Sequence, residues 1–140
     1  MALAMTYLDD PEVYNRFDPS HMLGRIGGLP QQCRHAWQEA SDFPLPADYS
    51  SVSSVVILGM GGSAIGGDLV SALAQEKGGA PVVVHRDYGL PPLVDDRTLV
   101  IASSYSGDTE ETLSSFAQAL NTPAKKLAIT TGGRLKATAE

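Results

Sequence analysis

The stretch from Ser54 to Asp68 constrains the fold of this chain more than any other part of the sequence. It opens with the apolar run Val55-Val56-Ile57-Leu58, which is typical of a buried parallel strand. The segment Gly59-Met60-Gly61-Gly62-Ser63 follows, and apolar residues then recur at helical spacing. A strand, a glycine turn and a helix in this order direct backbone N–H groups and the helix dipole towards an anion. The stretch therefore predicts an anion-binding turn.

A second loop with similar properties lies further along the chain, at Ser103-Ser104-Tyr105-Ser106-Gly107-Asp108-Thr109. The hydroxyl groups of Ser104, Ser106 and Thr109 can donate hydrogen bonds to phosphate oxygens, and the N–H groups of the loop supply further donors. We therefore expect the two loops to form one pocket for a phosphorylated small molecule, and a sugar phosphate fits best.

Helix capping is the alternative explanation for several of these side chains. Ser63 lies where a helix starts and suits an N-cap, and Ser106 or Asp108 suits the cap of the next helix. Asp108 and Glu111 also have capping-box spacing. Capping alone requires neither three hydroxyl groups nor a similar loop after the first strand, so we favour ligand binding for the second loop.

The charges around the second loop limit which anion it can bind. Asp108, Glu110 and Glu111 must point away from a bound phosphate, and neither loop contains lysine or arginine. Neutral donors suit a monophosphate better than a triphosphate, and the Gly-Lys-Ser/Thr of a Walker loop is absent. A dinucleotide site is the alternative, because Gly59-x-Gly61-x-x-Ala64 nearly fits the Rossmann fingerprint and Asp87 follows the second predicted strand.

Strands and helices alternate after residue 50. The patterns predict strands at 55–58, 81–85, 98–102 and 126–130, with helices at 64–77, 109–121 and from 134 onward. This order is typical of an α/β fold with right-handed crossovers. We expect a three-layer αβα sandwich around a parallel sheet, of the flavodoxin-like or Rossmann-like kind.

Residues 1–50 form a predicted helical leader, and residues 51–140 form the predicted phosphate-binding domain. We expect residues 1–20 to be irregular up to a helix start at Asp18-Pro19, and Gly27-Gly28 and Pro30 to divide the helical pattern that follows. The last predicted helix has only seven residues, about two turns, when the sequence stops. We therefore expect a fragment of a longer two-domain protein, ending before the last strand of its sheet.

Composition excludes several classes of partner. The net charge of −6 disfavours binding to nucleic acid or to an anionic membrane surface. Residues 1–10 lack the basic start and long apolar core of a signal peptide, and no apolar run is long enough to span a membrane. A single cysteine, Cys33, fits a reducing compartment. We expect a cytoplasmic protein.

Both loops resemble those of the sugar isomerase (SIS) domain, and more narrowly those of bifunctional phosphoglucose/phosphomannose isomerases. The resemblance covers most of the chain. It rests on the two loops and on three shorter segments: Leu29-Pro30-Gln31-Gln32, Asp87-Tyr88-Gly89-Leu90-Pro91 and Thr131-Gly132-Gly133-Arg134-Leu135. It departs at Asp108, where the family often has asparagine.

The resemblance implies an SIS-type sheet of about five strands, with phosphate held by Ser104, Ser106 and Thr109. It implies that Gly61, Gly62 and Ser63 lie at the sugar end of the pocket. The implied reaction interconverts glucose 6-phosphate or mannose 6-phosphate with fructose 6-phosphate through a cis-enediol, in a homodimer with active sites near the interface. No metal and no other cofactor is implied.

No residue of the chain is a convincing catalytic base. His85 is better explained as a hydrogen-bonded residue at a strand end, and Arg134 as a helix-surface residue. The resemblance places the glutamate, histidine and lysine of the proton transfers beyond Glu140, so this chain would bind substrate without completing the reaction. A sugar-phosphate-sensing regulatory module is the alternative from another class, although a regulator would more often carry a basic DNA-binding leader than this one.

Overall fold

The computed structural model describes residues 10–140. Two expectations concern residues 1–9 and so lie outside the described residues: that the chain does not begin with a signal peptide, and that the leader starts irregularly. The chain divides into two compact units between Leu45 and Pro46. Within residues 10–140, no helix is both long and apolar enough to cross a membrane.

Residues 10–45, the described part of the first unit, contain three helices. Helix α1 (Pro11–Phe17) begins after Asp10, whose carboxylate accepts a hydrogen bond from the N–H of Glu12 at 3.0 Å. The expectation of irregular structure before residue 20 is therefore wrong at α1, because Asp10 and Pro11 form a helix start of their own. Helices α2 (Met22–Gly27) and α3 (Leu29–Asp42) meet at Gly28, as the predicted break requires.

Asp18 stabilises the start of α2 although it lies four positions before the first residue of that helix, which the sequence did not indicate. Its two carboxylate oxygens accept hydrogen bonds from the N–H groups of Met22 and Leu23, at 2.7 and 2.8 Å. The helix therefore begins at Met22, three residues after the predicted first helical residue Pro19. These two bonds lower the pKa of Asp18.

A four-stranded parallel sheet forms the centre of the second unit, in the order β2-β1-β3-β4. A 3₁₀ helix precedes the sheet, and the elements are the 3₁₀ helix Ala47–Ser51, β1 (Ser54–Leu58), α4 (Gly61–Glu76), β2 (Val82–His85), β3 (Thr98–Ser103), α5 (Glu110–Ala119), β4 (Lys125–Ile129) and α6 (Gly133–Ala139). The predicted α/β class and parallel sheet are confirmed.

The two faces of the sheet bury alternate residues of the same strands, as the pleat requires. One face carries a core in which β1 and β3 pack against α5 and α6; its buried residues are Val56, Leu58, Val100, Ala102, Phe116, Ala119, Ala124 and Leu135. On the other face, Gly67 of α4 lies against Ile57 and Val84. Helices therefore cover both faces, which gives the three layers that the sequence predicts.

Gly67 tests the packing of α4 on the sheet. A Cβ at Gly67 would lie 3.0 Å from Val84 Cγ2 and 3.2 Å from Ile57 Cγ2, so Gly67→Ala must displace side chains packed between α4 and the sheet. We expect it to lower the free energy of unfolding by about 1–3 kcal/mol in urea denaturation.

Gly66→Ala is the matched control, because a Cβ there would meet nothing within 4 Å. Alanine favours a helix interior, so we expect this variant to be neutral or more stable by up to about 1 kcal/mol. Equal destabilisation by both substitutions would contradict this description of the interface between α4 and the sheet.

Candidate functional site

The parallel register of β1 and β3 brings the two glycine- and hydroxyl-containing loops together. Leu58, at the end of β1, pairs with Ala102 near the end of β3, so both loops leave the same edge of the sheet. A Cβ at Gly59 would lie 3.0 Å from the carbonyl oxygen of Ser103, which shows how closely the two backbones approach. The juxtaposition expected from the sequence is present.

The first loop joins β1 to α4 with little intervening turn. Helix α4 begins at Gly61, and Met60 is its N-cap residue. Ser63 is therefore the third residue of the helix rather than its cap, contrary to the capping alternative. The carbonyl oxygen of Met60 accepts the N–H groups of Ser63 and Ala64 at 3.1 and 3.3 Å.

Gly61 and Gly62 are both exposed at the start of α4. Gly61 has a φ of +50°, a conformation that favours glycine. Gly62 has no such requirement, and a Cβ on it would meet nothing within 4 Å. Packing within the described residues thus leaves the space above Gly62 open.

Hydroxyl oxygens in the second loop accept hydrogen bonds from the loop's own amides. Ser104 is buried, and its Oγ accepts the N–H of Gly107 at 3.1 Å and lies 3.0 Å from Thr109 Oγ1. Ser106 is exposed, and its Oγ accepts the N–H of Asp108 at 3.2 Å. These bonds use lone pairs of the hydroxyl oxygens. The Ser104–Thr109 pair therefore still has one hydroxyl proton to donate to a ligand, and Ser106 has another.

Helix α5 begins after Thr109 without a side-chain cap. Neither Ser106 nor Asp108 accepts an N–H group of α5, so capping does not explain the hydroxyl groups before this helix. The first N–H groups of a helix have no partner within it, and their partial positive charge faces the loop. Thr112, also in the first turn, is buried, and its Oγ1 has no partner among the described residues.

A cleft of about 240 Å³ lies between the loops. Its lining residues are Ser63, Ser103, Tyr105, Ile129, Thr130 and Thr131. Of the six predicted ligand-binding residues, Ser63 alone lines this cleft. Ser104, Ser106 and Thr109 belong to the loop beside it. A larger depression of about 350 Å³ lies beside the opposite end of β2 and includes Ser71 and Pro81, away from both loops.

A third loop, after β4, supports the second and was not predicted to be part of the site. Thr131 donates to the carbonyl oxygen of Tyr105 through its N–H at 3.2 Å and through Oγ1 at 2.6 Å. The N–H of Leu135 donates to the carbonyl of Gly107 at 2.9 Å. A Cβ at Gly107 would collide with Gly132, so the backbones touch there. The strand–Gly-Gly–helix pattern after β4 was the available signal.

Asp108 points to helix α6 rather than to its own helix. Its Oδ1 accepts hydrogen bonds from both the N–H and the Nε of Arg134, each at 3.1 Å. These bonds, the backbone one first, lower the pKa of Asp108. Glu110 also has a partner, because Tyr88 donates its hydroxyl to Glu110 Oε2 at 3.2 Å. The sequence required these carboxylates to point away from a phosphate, and it did not identify either partner.

The remaining candidates have structural partners. His85 Nε2 lies 2.9 Å from the carbonyl oxygen of Gly89, as expected for a histidine at a strand end. Arg134 is exposed on the surface of α6, as expected, and is paired with Asp108. Across residues 10–140, no group of three or more histidine, cysteine, aspartate or glutamate side chains is arranged to hold a metal ion.

Comparison with known proteins gives one family. The model of the SIS domain matches residues 48–134. A bifunctional phosphoglucose/phosphomannose isomerase of Caldicellulosiruptor bescii is 48% identical over 119 residues, covering 85% of this chain and 35% of that protein. A protein of the same name from Thermoplasma acidophilum is 52% identical over 83 residues, covering 59% of this chain and 26% of that protein.

A relative with a different name is also similar. The D-glucosamine-6-phosphate 4-epimerase of Sulfolobus acidocaldarius is 33% identical over 108 residues, covering 74% of this chain and 34% of that protein. This chain thus spans only about a quarter to a third of the length of these relatives. No solved structure gives a significant match.

The pairing of Asp108 predicts a pH-dependent contribution to stability. Because its pKa in the folded chain lies below the ordinary value of 3.8, this contribution is complete above that value and disappears as the pH falls through the folded pKa. We expect Asp108→Asn to melt below the wild type near neutral pH, with the gap closing as the pH falls below 3.8. A gap that is constant across thermal melts from neutral to acidic pH would contradict this.

Proposed function

Because this chain belongs to the SIS domain family, we propose that it is the sugar-phosphate-binding domain of an aldose–ketose isomerase. The observation that carries the proposal is the pairing of Leu58 with Ala102, which sets the two loops side by side at one edge of the sheet. A small ligand in contact with both loops can there meet amide groups, hydroxyl groups and the amino end of α5 at once.

We assign the phosphate group to the second loop, where Ser104, Ser106 and Thr109 lie before α5. The Ser106 hydroxyl and the Ser104–Thr109 pair each retain a proton to donate, and the unpaired N–H groups of the first turn add further donors. The sugar end would extend towards Gly61, Gly62 and Ser63. The open space above Gly62 and the position of Ser63 in the cleft support this orientation.

The phosphate-bearing sugar is better supported than the reaction. The relatives named as isomerases and the relative named as an epimerase all carry a phosphorylated sugar in their names. We propose glucose 6-phosphate, mannose 6-phosphate and fructose 6-phosphate as the ligands, interconverted through a cis-enediol. An epimerase acting on a hexose 6-phosphate is the second candidate, and it uses the same phosphate contacts.

The proton transfers of the reaction need groups that we do not assign within this chain. An isomerase needs a base that moves a proton between C1 and C2 of the sugar. It also needs an acid/base group for ring opening and a hydrogen-bond donor for the enediolate oxygen. We assign these groups to other parts of a longer two-domain protein, and propose that residues 51–140 supply substrate binding. A homodimer and a cytoplasmic location complete the proposal.

A thermal-shift panel on the 140-residue chain tests ligand class. Fructose 6-phosphate at about ten times its dissociation constant should stabilise the chain by about 1.4 kcal/mol, a shift of several degrees. Fructose without phosphate should give no shift at the same concentration, because it lacks the group that the second loop binds. A shift with NAD but none with fructose 6-phosphate would favour the dinucleotide alternative. A shift with a 5-phosphopentose analogue alone would favour another class of sugar phosphate.

Removing single hydroxyl groups from the second loop tests the phosphate contacts. We expect Ser106→Ala and Thr109→Val each to raise the dissociation constant for fructose 6-phosphate by about tenfold, since a hydrogen bond to a charged group is lost. Ser50→Ala is the control, because its hydroxyl is exposed and bonds only to the carbonyl of Ala47 within the 3₁₀ helix. Unchanged affinity in both loop variants, with an unchanged melting temperature, would remove these residues from the site.

Gly62→Ala separates ligand approach from packing. Its Cβ meets nothing within 4 Å, so the unliganded variant should be as stable as the wild type. A methyl group on the open side of the loop should nevertheless reduce the affinity for fructose 6-phosphate by at least about tenfold, as measured by isothermal titration calorimetry. Normal binding by a normally folded variant would show that the sugar does not approach Gly62.

A further inference from the structure

One cation reaches the second loop through the fold rather than through the sequence of the loop. Arg134, in the first turn of α6, places its Nε 3.1 Å from Asp108 Oδ1 and its Nη2 3.4 Å from the carbonyl oxygen of Asp108. In the part of the chain from Asp10 onward, no other lysine or arginine hydrogen-bonds to residues 103–109. The loop is therefore not as poor in positive charge as its sequence indicates.

Backbone hydrogen bonds hold the main chain of Arg134 beside the second loop, but the charged groups of Arg134 and Asp108 remain accessible. The N–H of Arg134 is itself bonded to Asp108, and the next residue, Leu135, donates to Gly107. The side chains of Arg134 and Asp108 are nevertheless 65% and 52% exposed. A guanidinium group in this position can exchange one oxygen ligand for another without a change in the fold.

We propose that Asp108 sets the phosphate affinity of the second loop, because its carboxylate occupies the guanidinium of Arg134, which the fold brings there. The inference rests on the function proposed above and identifies a residue that controls how tightly that site binds. A guanidinium forms strong, often bidentate bonds to phosphate, so its pairing with a carboxylate removes a donor. The carboxylate also repels a phosphate dianion bound beside it.

Glu110 provides a contrast within the same site. It lies two residues from Asp108 and carries the same charge, but its partner is the neutral hydroxyl of Tyr88. The segment that holds Tyr88 is fastened along α5, since Ser115 Oγ donates to the carbonyl of Asp87 at 2.9 Å and Gln118 Oε1 accepts the N–H of Leu90 at 3.1 Å. Removing the charge of Glu110 therefore releases no cation.

The test compares Asp108→Asn with Glu110→Gln in the 140-residue chain. Asparagine retains an oxygen that can accept the N–H of Arg134, so this hydrogen bond to the first turn of α6 is kept while the ion pair is lost. We expect Asp108→Asn to bind inorganic phosphate and fructose 6-phosphate about three- to tenfold more tightly than the wild type in low salt. The affinity of Asp108→Asn should also fall more steeply as the salt concentration rises, because a carboxylate no longer neutralises the positive charge of Arg134. Glu110→Gln should change either affinity by less than about twofold.

Each other outcome overturns the inference. Unchanged or weaker binding by Asp108→Asn, beside normal binding by the wild type, would refute the role of Asp108 and leave the proposed function standing. Equal tightening by Glu110→Gln would assign the gain to general loss of negative charge rather than to release of Arg134. Failure of the wild type and both variants to bind either ligand would reject the proposed function and the inference together.

Discussion

The hydrogen-bonded register of the parallel sheet is the constraint on which the rest of the structure depends. Val56 and Leu58 of β1 and Val100 and Ala102 of β3 face the same helices, and all four are buried. A shift of one residue in either strand would turn its apolar side chains to the other face, so burial fixes the register. The register in turn fixes where each strand ends, and with it which loops are neighbours. The core thus positions the site although no core residue belongs to it.

Contact between loops converts this arrangement into a rigid one. Gly107 has a φ of +73° and lies against Gly132, and Gly133 has a φ of +67° and lies against Ser106. No side chain fits between these backbones, so the second and third loops are held at contact distance. Hydroxyl oxygens in the second loop accept bonds from its own amides, which orders them before any ligand arrives. Preorganised donors of this kind lose little conformational entropy when they bind an anion.

Patterns of short range could be predicted from the sequence, and contacts of long range could not. The limits of the four strands lie within one residue of the predicted ones, because apolar β-branched runs bounded by turn residues have few alternatives. Helix α4 begins three residues before its predicted start at residue 64, since Gly61 and Gly62 have low helix propensity and sequence alone indicates a turn. The partner of Asp108 could not be predicted, because it lies 26 positions away on a helix whose docking depends on the whole sheet.

Charge is consistent with the proposal that this site binds a monophosphate. The chain carries a net charge of −6, so an anion approaching it gains nothing from the overall field. At the second loop, Asp108 and its partner Arg134 of α6 together are neutral, and Glu110 at the start of α5 adds a negative charge. Attraction must then come from amide and hydroxyl dipoles, which act only at contact distance and only in one orientation. A triphosphate brings more negative charge than such dipoles can compensate. The ligand that we propose has a single phosphate group, whose oxygens would be bound within one loop, and a neutral sugar that would extend towards the other.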